Sequence, residues 1–114
     1  VMLIGFVENP YPWIVHAQAI VHSAKFEGLP TALIEALILD QLIVSSDCPT
    51  GPREILRDGR SGLLVPVGDP QSMADAIERI LTDKELRDKL KGDLSANKNR
   101  VVDKYNTFSL EQLF

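Results

Sequence analysis

With 114 residues, 45% of them apolar and 25% charged, the sequence has the length and balance of one compact globular domain. A formal charge of −4, with no block of like charges, excludes the basic footprint that holds nucleic acid or an anionic lipid surface. A single cysteine, Cys48, excludes an internal disulfide and offers no metal-ligand spacing, which fits a reducing compartment; no apolar run approaches the ~20 residues that span a bilayer.

Short apolar runs alternate with helical patterns along the chain, the signature of an α/β domain with a parallel sheet. "MLIGFV" (2–7) reads as a buried strand, "NPYPWIVHAQ" (9–18) as a turn leading into a short helix, and "AIVHS" (19–23) as a second strand. A helix over about 30–40 follows, then a strand at 42–47, a short helix from Gly51 to Leu56 and a fourth strand at 62–67. Beyond that the pattern is helical only. Asp69-Pro70 is an N-cap followed by proline at the first helical position, and Met73, Ala74, Ile77, Ile80 and Leu81 form an apolar stripe. Thr82 and Glu85 have capping-box spacing ahead of Leu86, Leu90 and Leu94, and Ser109 and Gln112 repeat that box. No signal peptide is legible. Both ends are blunt, as expected of a piece of something larger.

The most informative stretch is "KFEGLPTALIEAL" (25–37), which sets Glu27 and Glu35 around a Gly-Leu-Pro turn. In a parallel α/β sheet, ligands bind where strands end and the next helices begin. Gly28 permits close backbone approach, and Pro30 suits an early helical position. The unpaired N–H groups of a helix start, here at Thr31 and Ala32, favour a phosphate. Glu35, one turn further in, can accept two hydrogen bonds from a vicinal diol such as a ribose, while Glu27 on the turn faces whatever lies beyond the phosphates. The plainer reading of this pair is two surface carboxylates on a good helix former. Against it stands the setting of Glu35 among apolar neighbours, where a carboxylate is costly without a partner.

"FEGLPTALIEAL" resembles the E-x7-E motif of retaining GT-B glycosyltransferases, the group 1 or family 4 transferases of bacterial glycan assembly. "GFVENPYPWIVHAQAIVHSAKFEG" resembles the family's preceding unit, and "IVSSDCPTGPREIL" with "GRSGLLVPVGDP" its next two, so the resemblance spans nearly the whole chain. It implies a Rossmann-like parallel sheet with flanking helices, with residues 1–114 forming the C-terminal part of a GT-B donor-binding domain. The upstream strands, the family's basic pair for the diphosphate and the acceptor domain are absent from the sequence. It implies that Glu27 contacts hydroxyls of the transferred sugar as the catalytic-site residue and that Glu35 binds the ribose. Gly28, Leu29, Pro30, Thr31 and Ala32 would touch sugar and diphosphate, and Val7 would lie near the base. No cofactor or metal is implied, only a nucleoside-diphosphate sugar as donor substrate.

The expected activity is transfer of a sugar from that donor to an acceptor hydroxyl in polysaccharide or glycolipid assembly. The fragment alone would be inactive, and a glycan or lipid-linked acceptor would be held by the missing domain. The alternatives are a nucleotide-sugar epimerase, which shares the architecture, and a non-catalytic nucleotide-sugar-binding or assembly module. The expected place is the cytoplasm, including a peripheral position at the inner face of the membrane. In the family's sheet the two missing strands separate residues 2–7 from 19–23. Their loss leaves 19–23 as an open edge, expected to be covered by self-association or by residues 2–7.

Asp40 and Leu42 stand where the family usually has Gly and Pro, and an aspartate at a helix C-terminus opposes the dipole, at a cost in local stability. "TGPRE" (50–54) reads either as a loop facing donor or acceptor or as simple capping, with Arg53 the one arginine in view for a phosphate. His16 and His22 read as structural, Cys48 as a small packed residue, and Tyr11 and Trp13 as packing for the first helix or a rim contact with the base.

Overall fold

The computed structural model of the chain describes residues 11–23, 31–49 and 51–105, without the side chains of Tyr11, Trp13, Thr31 and Tyr105. The strand expected at 2–7, the box at Ser109 and Gln112, and the packing of Tyr11 and Trp13 lie outside what is described. In chain order the elements are α1 (Tyr11–His16), β1 (Ile20–His22), α2 (Thr31–Ile38), β2 (Ile43–Ser46), α3 (Pro52–Ile55), β3 (Leu63–Val65), α4 (Pro70–Thr82) and α5 (Lys84–Tyr105). The strands form one parallel sheet in the order β1-β2-β3, with Ile20 opposite Ile43 and Val44 opposite Leu63.

All four residues of β2 are buried, as a strand covered on both faces requires. Side-chain alternation then divides the core in two. Ile43 packs with Leu33, Ile34, Leu37 and Ile38 of α2 and with Ile55 and Leu56. Leu42 and Val44 pack instead with Val65 and with Ala76 and Ile80 of α4. α5 belongs to both halves: Leu90 joins the second cluster, Leu94 and Val101 the first. The expected stripe of α4 is narrower than read, because Ala74 and Leu81 are exposed while Ala76 is buried.

Two helix ends differ from expectation. Thr82 is the last residue of α4, its hydroxyl donating to the Glu78 carbonyl, and it is the Asp83 carboxylate that accepts the Leu86 N–H at the start of α5. An aspartate placed one residue on does the capping that the Thr82–Glu85 spacing suggested. At the end of α2, Asp40 takes a left-handed conformation, φ 58°, and its N–H bonds Leu37 O while Gln41 N–H bonds Ala36 O. This is a Schellman closure, the usual task of the glycine expected there. The Asp40 carboxylate does not face the helix dipole alone, because Lys98 of α5 pairs with it at 2.9 Å. The local cost expected of Asp40 is therefore offset across the fold.

Gln41, only 7% exposed, ties α1 to this corner. Its amide nitrogen donates to Ile14 O and Ala17 O, and its oxygen accepts the Leu42 N–H. Ile14 O also accepts the Ala17 N–H, and the Gln41 amide completes the bonding of carbonyls at this helix end inside the fold. Among the described residues, no helix is long and apolar enough to cross a membrane.

Candidate functional site

The three strands run in one direction, so their carboxyl ends meet on one edge, formed by Ser23 after β1, Ser46 and Asp47 at β2, and Pro66 after β3. α2 starts from the same edge, at Thr31. Within α2, residues 33, 34 and 36–38 are buried, whereas Ala32 is exposed and Glu35 half-buried. Ala32 and Glu35 are three positions apart and so lie on one face, the least buried of the helix. Glu35 makes an interaction of its own, as a carboxylate beside a core requires. Thr31, Ala32 and Glu35 are therefore in or at a helix start on the strand-end edge. Val7, Glu27, Gly28, Leu29 and Pro30 lie outside the described residues.

Two clefts open beside this edge. The first, about 440 Å³, is lined by Ser23, Ser46, Pro66, Val67 and the first turns of α4, including Met73 and Ile77. Its wall is fixed by the start of α4, where the Asp69 carboxylate accepts the Ser72 N–H at 3.0 Å and the Ser72 hydroxyl at 2.8 Å. These bonds hold the Asp69 carboxyl below its ordinary pKa, the backbone bond contributing most. Gly68, with φ 73°, turns the chain into that cap.

The second cleft, about 900 Å³, lies on the other side of the β2 loop and is lined by Asp47, Cys48, Pro49, Gly51, α3, the turn after it and Arg100 of α5. Gly51, φ 109°, precedes Pro52 at the first position of α3. Arg53 pairs with Asp47 and, at 3.5 Å, with Asp58. The Asp47 hydrogen bond and charge raise its guanidinium above the ordinary value, so it is a committed ion-pair partner. The turn after α3 holds Arg57, Asp58 and Gly59 all at positive φ, an arrangement fixed by the Asp58 N–H to Arg53 O and the Ser61 N–H to Leu56 O bonds. From α5, Asp93 holds Arg57 at 3.2 Å and accepts the Ser61 hydroxyl at 2.5 Å.

Arg53 was the one arginine in view from the sequence. The cleft adds Arg57, Arg60 and Arg100, the last brought from α5 by the fold and invisible to any local motif. Cys48 is buried, as expected of a small packed residue. His22 is half-buried with Nδ1 3.3 Å from the Ser45 hydroxyl across the β1–β2 ladder, a structural contact, whereas His16 is exposed at the end of α1. Among the described residues, no group of three His, Cys, Asp or Glu side chains could hold a metal ion.

Residues 1–83 match the family described as glycosyl transferases group 1. The chain belongs to that family. Among the relatives of this group 1 chain is the N-acetylgalactosamine-N,N'-diacetylbacillosaminyl-diphospho-undecaprenol 4-alpha-N-acetylgalactosaminyltransferase of Campylobacter jejuni. It is 36% identical over 87 residues, which are 76% of this chain and 24% of that protein. The poly(ribitol-phosphate) alpha-N-acetylglucosaminyltransferase of Staphylococcus aureus is 26% identical over 110 residues, 96% of this chain and 22% of that one. The crystal structure of TarM superposes with a TM-score of 0.73 at 23% identity, covering 95% of this chain and 20% of its own, a likeness of fold. The Rossmann-like α/β sheet expected from the sequence is the fold of this group 1 member. The chain spans about a quarter or less of the length of these relatives.

Proposed function

We propose that this chain is the donor-binding part of a retaining glycosyltransferase that moves a sugar from a nucleoside-diphosphate donor to an acceptor hydroxyl in polysaccharide or glycolipid assembly. The observation that carries the reading is the start of α2 on the strand-end edge, with Ala32 and Glu35 on its least buried face. A diphosphate at that helix start meets unpaired N–H groups and the positive end of the dipole, so its charge is met there without a metal. In this reading Glu35, one turn inward, accepts from both ribose hydroxyls. Glu27 takes the hydroxyls of the transferred sugar, the backbone from Gly28 to Ala32 follows sugar and diphosphate, and Val7 lies towards the base. In this reading residues 1–114 are the C-terminal portion of the donor domain. The acceptor, a glycan or a lipid-linked one, is held by a second domain, and the protein works in the cytoplasm or at the inner face of its membrane.

The test is a comparison of two variants in the intact transferase. A hydrogen bond to a charged group contributes roughly 1.5–3 kcal/mol, so Glu35→Ala should weaken donor interaction by about 2–4 kcal/mol, roughly 30- to 1000-fold. The ribose is remote from the reacting carbon, so this loss should fall mainly on donor KM. Glu27→Ala should lower kcat more, because it touches the part that reacts. Near-normal donor kinetics in a folded Glu35→Ala protein would overturn the ribose assignment, and acceptor-independent release of a free epimer would replace transfer with epimerisation.

A further inference from the structure

In the larger cleft, every charged side chain but two has an ion-pair partner among the described residues. Asp47 and Asp58 are taken by Arg53, Glu54 by Lys104, and Arg57 by Asp93. Arg60 and Arg100, both exposed and both lining the cleft, have no carboxylate partner among the described residues. This is a notable pair in a chain of net charge −4. Arg100 is also held still. Its Nε donates to Asn97 Oδ1 at 2.7 Å and one terminal nitrogen donates to the Glu54 carbonyl at 2.8 Å. Both acceptors are neutral, so among the described residues the guanidinium is fixed in place without a carboxylate, and its other terminal nitrogen makes no bond. Arg60 stands on the turn of three positive-φ residues that the Arg57–Asp93 pair clamps to α5. Arg57 and Asp58, the two of these that are not glycine, carry a conformational cost of about 1–3 kcal/mol each, sustained by the bonds around the turn. Guanidinium groups are the side chains best suited to planar two-point recognition of an oxyanion.

We propose that this cleft is a binding site for an oxyanion, phosphate or carboxylate, borne by a molecule of sugar size, with Arg60 and Arg100 as its two charge contacts. Its volume of about 900 Å³ accommodates a ring as well as the charged group. None of the residues that line it belongs to α2. It does not depend on the transferase reading; failure of either leaves the other standing.

The experiment is an NMR titration of the full chain with glucose 1-phosphate, with glucuronate and with uncharged glucose, at constant ionic strength. Saturable shifts at residues 57–61 and at the Arg60 and Arg100 side-chain N–H groups are expected for at least one of the two anions and not for glucose. Phosphate is the source if glucose 1-phosphate binds the tighter, carboxylate if glucuronate does. Losing one charge-assisted contact in Arg60→Gln should weaken binding roughly 10-fold. Arg60 makes no side-chain bond among the described residues, so this variant should fold as the parent does. Arg100→Lys keeps charge but loses the fixed fork, and should weaken binding by a smaller factor. Three results would each overturn the proposal: no saturation with either anion, equal response to glucose, or unchanged affinity in folded Arg60→Gln.

Discussion

Gly62 is required by what stands around it. A Cβ there would meet the Ile43 carbonyl oxygen at 3.0 Å, Leu56 Cδ1 at 3.1 Å and Ile43 Cβ at 3.2 Å. Backbone and a buried strand residue cannot step aside as a flexible side-chain tip can. Gly62→Ala should therefore cost about 1–3 kcal/mol by overpacking, read as a lower urea midpoint at an unchanged slope. Asp40 is the opposite case, a residue that its position disfavours and a distant partner rescues. Lys98→Met should lower stability by roughly 0.5–1 kcal/mol, since the carboxylate is then left opposing the α2 dipole. In that background Asp40→Gly should restore the melting temperature, because glycine takes the left-handed position freely. If Asp40→Gly fails to recover the loss, the ion pair is not what compensates the aspartate.

At the scale of elements, α4 carries the clearest pH signature. The Asp69 carboxylate that caps it titrates below its unfolded value because the Ser72 N–H and hydroxyl bind its ionised form. The sign follows from linkage: the cap's contribution is complete above the unfolded pKa and is lost as pH falls through the lower, folded one. Asp69→Asn should thus melt below the parent at neutral pH, with the gap closing under acid conditions; a gap constant with pH would remove the carboxylate from the cap. This element was legible in advance, since Asp-Pro ahead of an apolar stripe is a local signal. So were the three described strands, each within a residue or two of its observed bounds, and α2, because their patterns are set by neighbours in the chain. Two features were not. Gln41 bonds α1 across 27 and 24 positions, and Arg100 reaches its cleft from α5, so neither leaves a mark in local periodicity. The cap of α5 was misplaced for a subtler reason: Thr82 and Asp83 are adjacent capping residues, and which one closes the helix depends on where α4 stops.

For the whole molecule, β1 is the strand that most needs cover. Among the described residues it is the outer strand of the sheet, with Val21 46% exposed. An unpaired edge strand is a template for another strand. The chain also spans about a quarter or less of its relatives, and transfer depends on holding donor and acceptor together. Incubated with a nucleoside-diphosphate sugar and a lipid-linked or glycan acceptor, the 114-residue chain should show no transfer. Turnover at the rate of an intact family member would contradict this and place the acceptor site within these residues.

The double membership of α5 also sets a timetable on the ribosome. Asn97 donates to the carbonyl of Ile55, made 42 residues earlier, and to the hydroxyl of Ser61, made 36 earlier, while Leu94 and Val101 close the cluster around Ile43. A nascent chain that has already presented β1, β2 and β3 must wait for these partners. At about 5–20 residues per second the interval lasts roughly 2–7 s, long on the scale of hydrophobic collapse. For that time the cluster around Ile43 lacks Leu94 and Val101. Codons for residues 66–101 therefore govern how long a sticky intermediate persists, and slow decoding there would raise its chance of meeting a second copy before its own helix arrives.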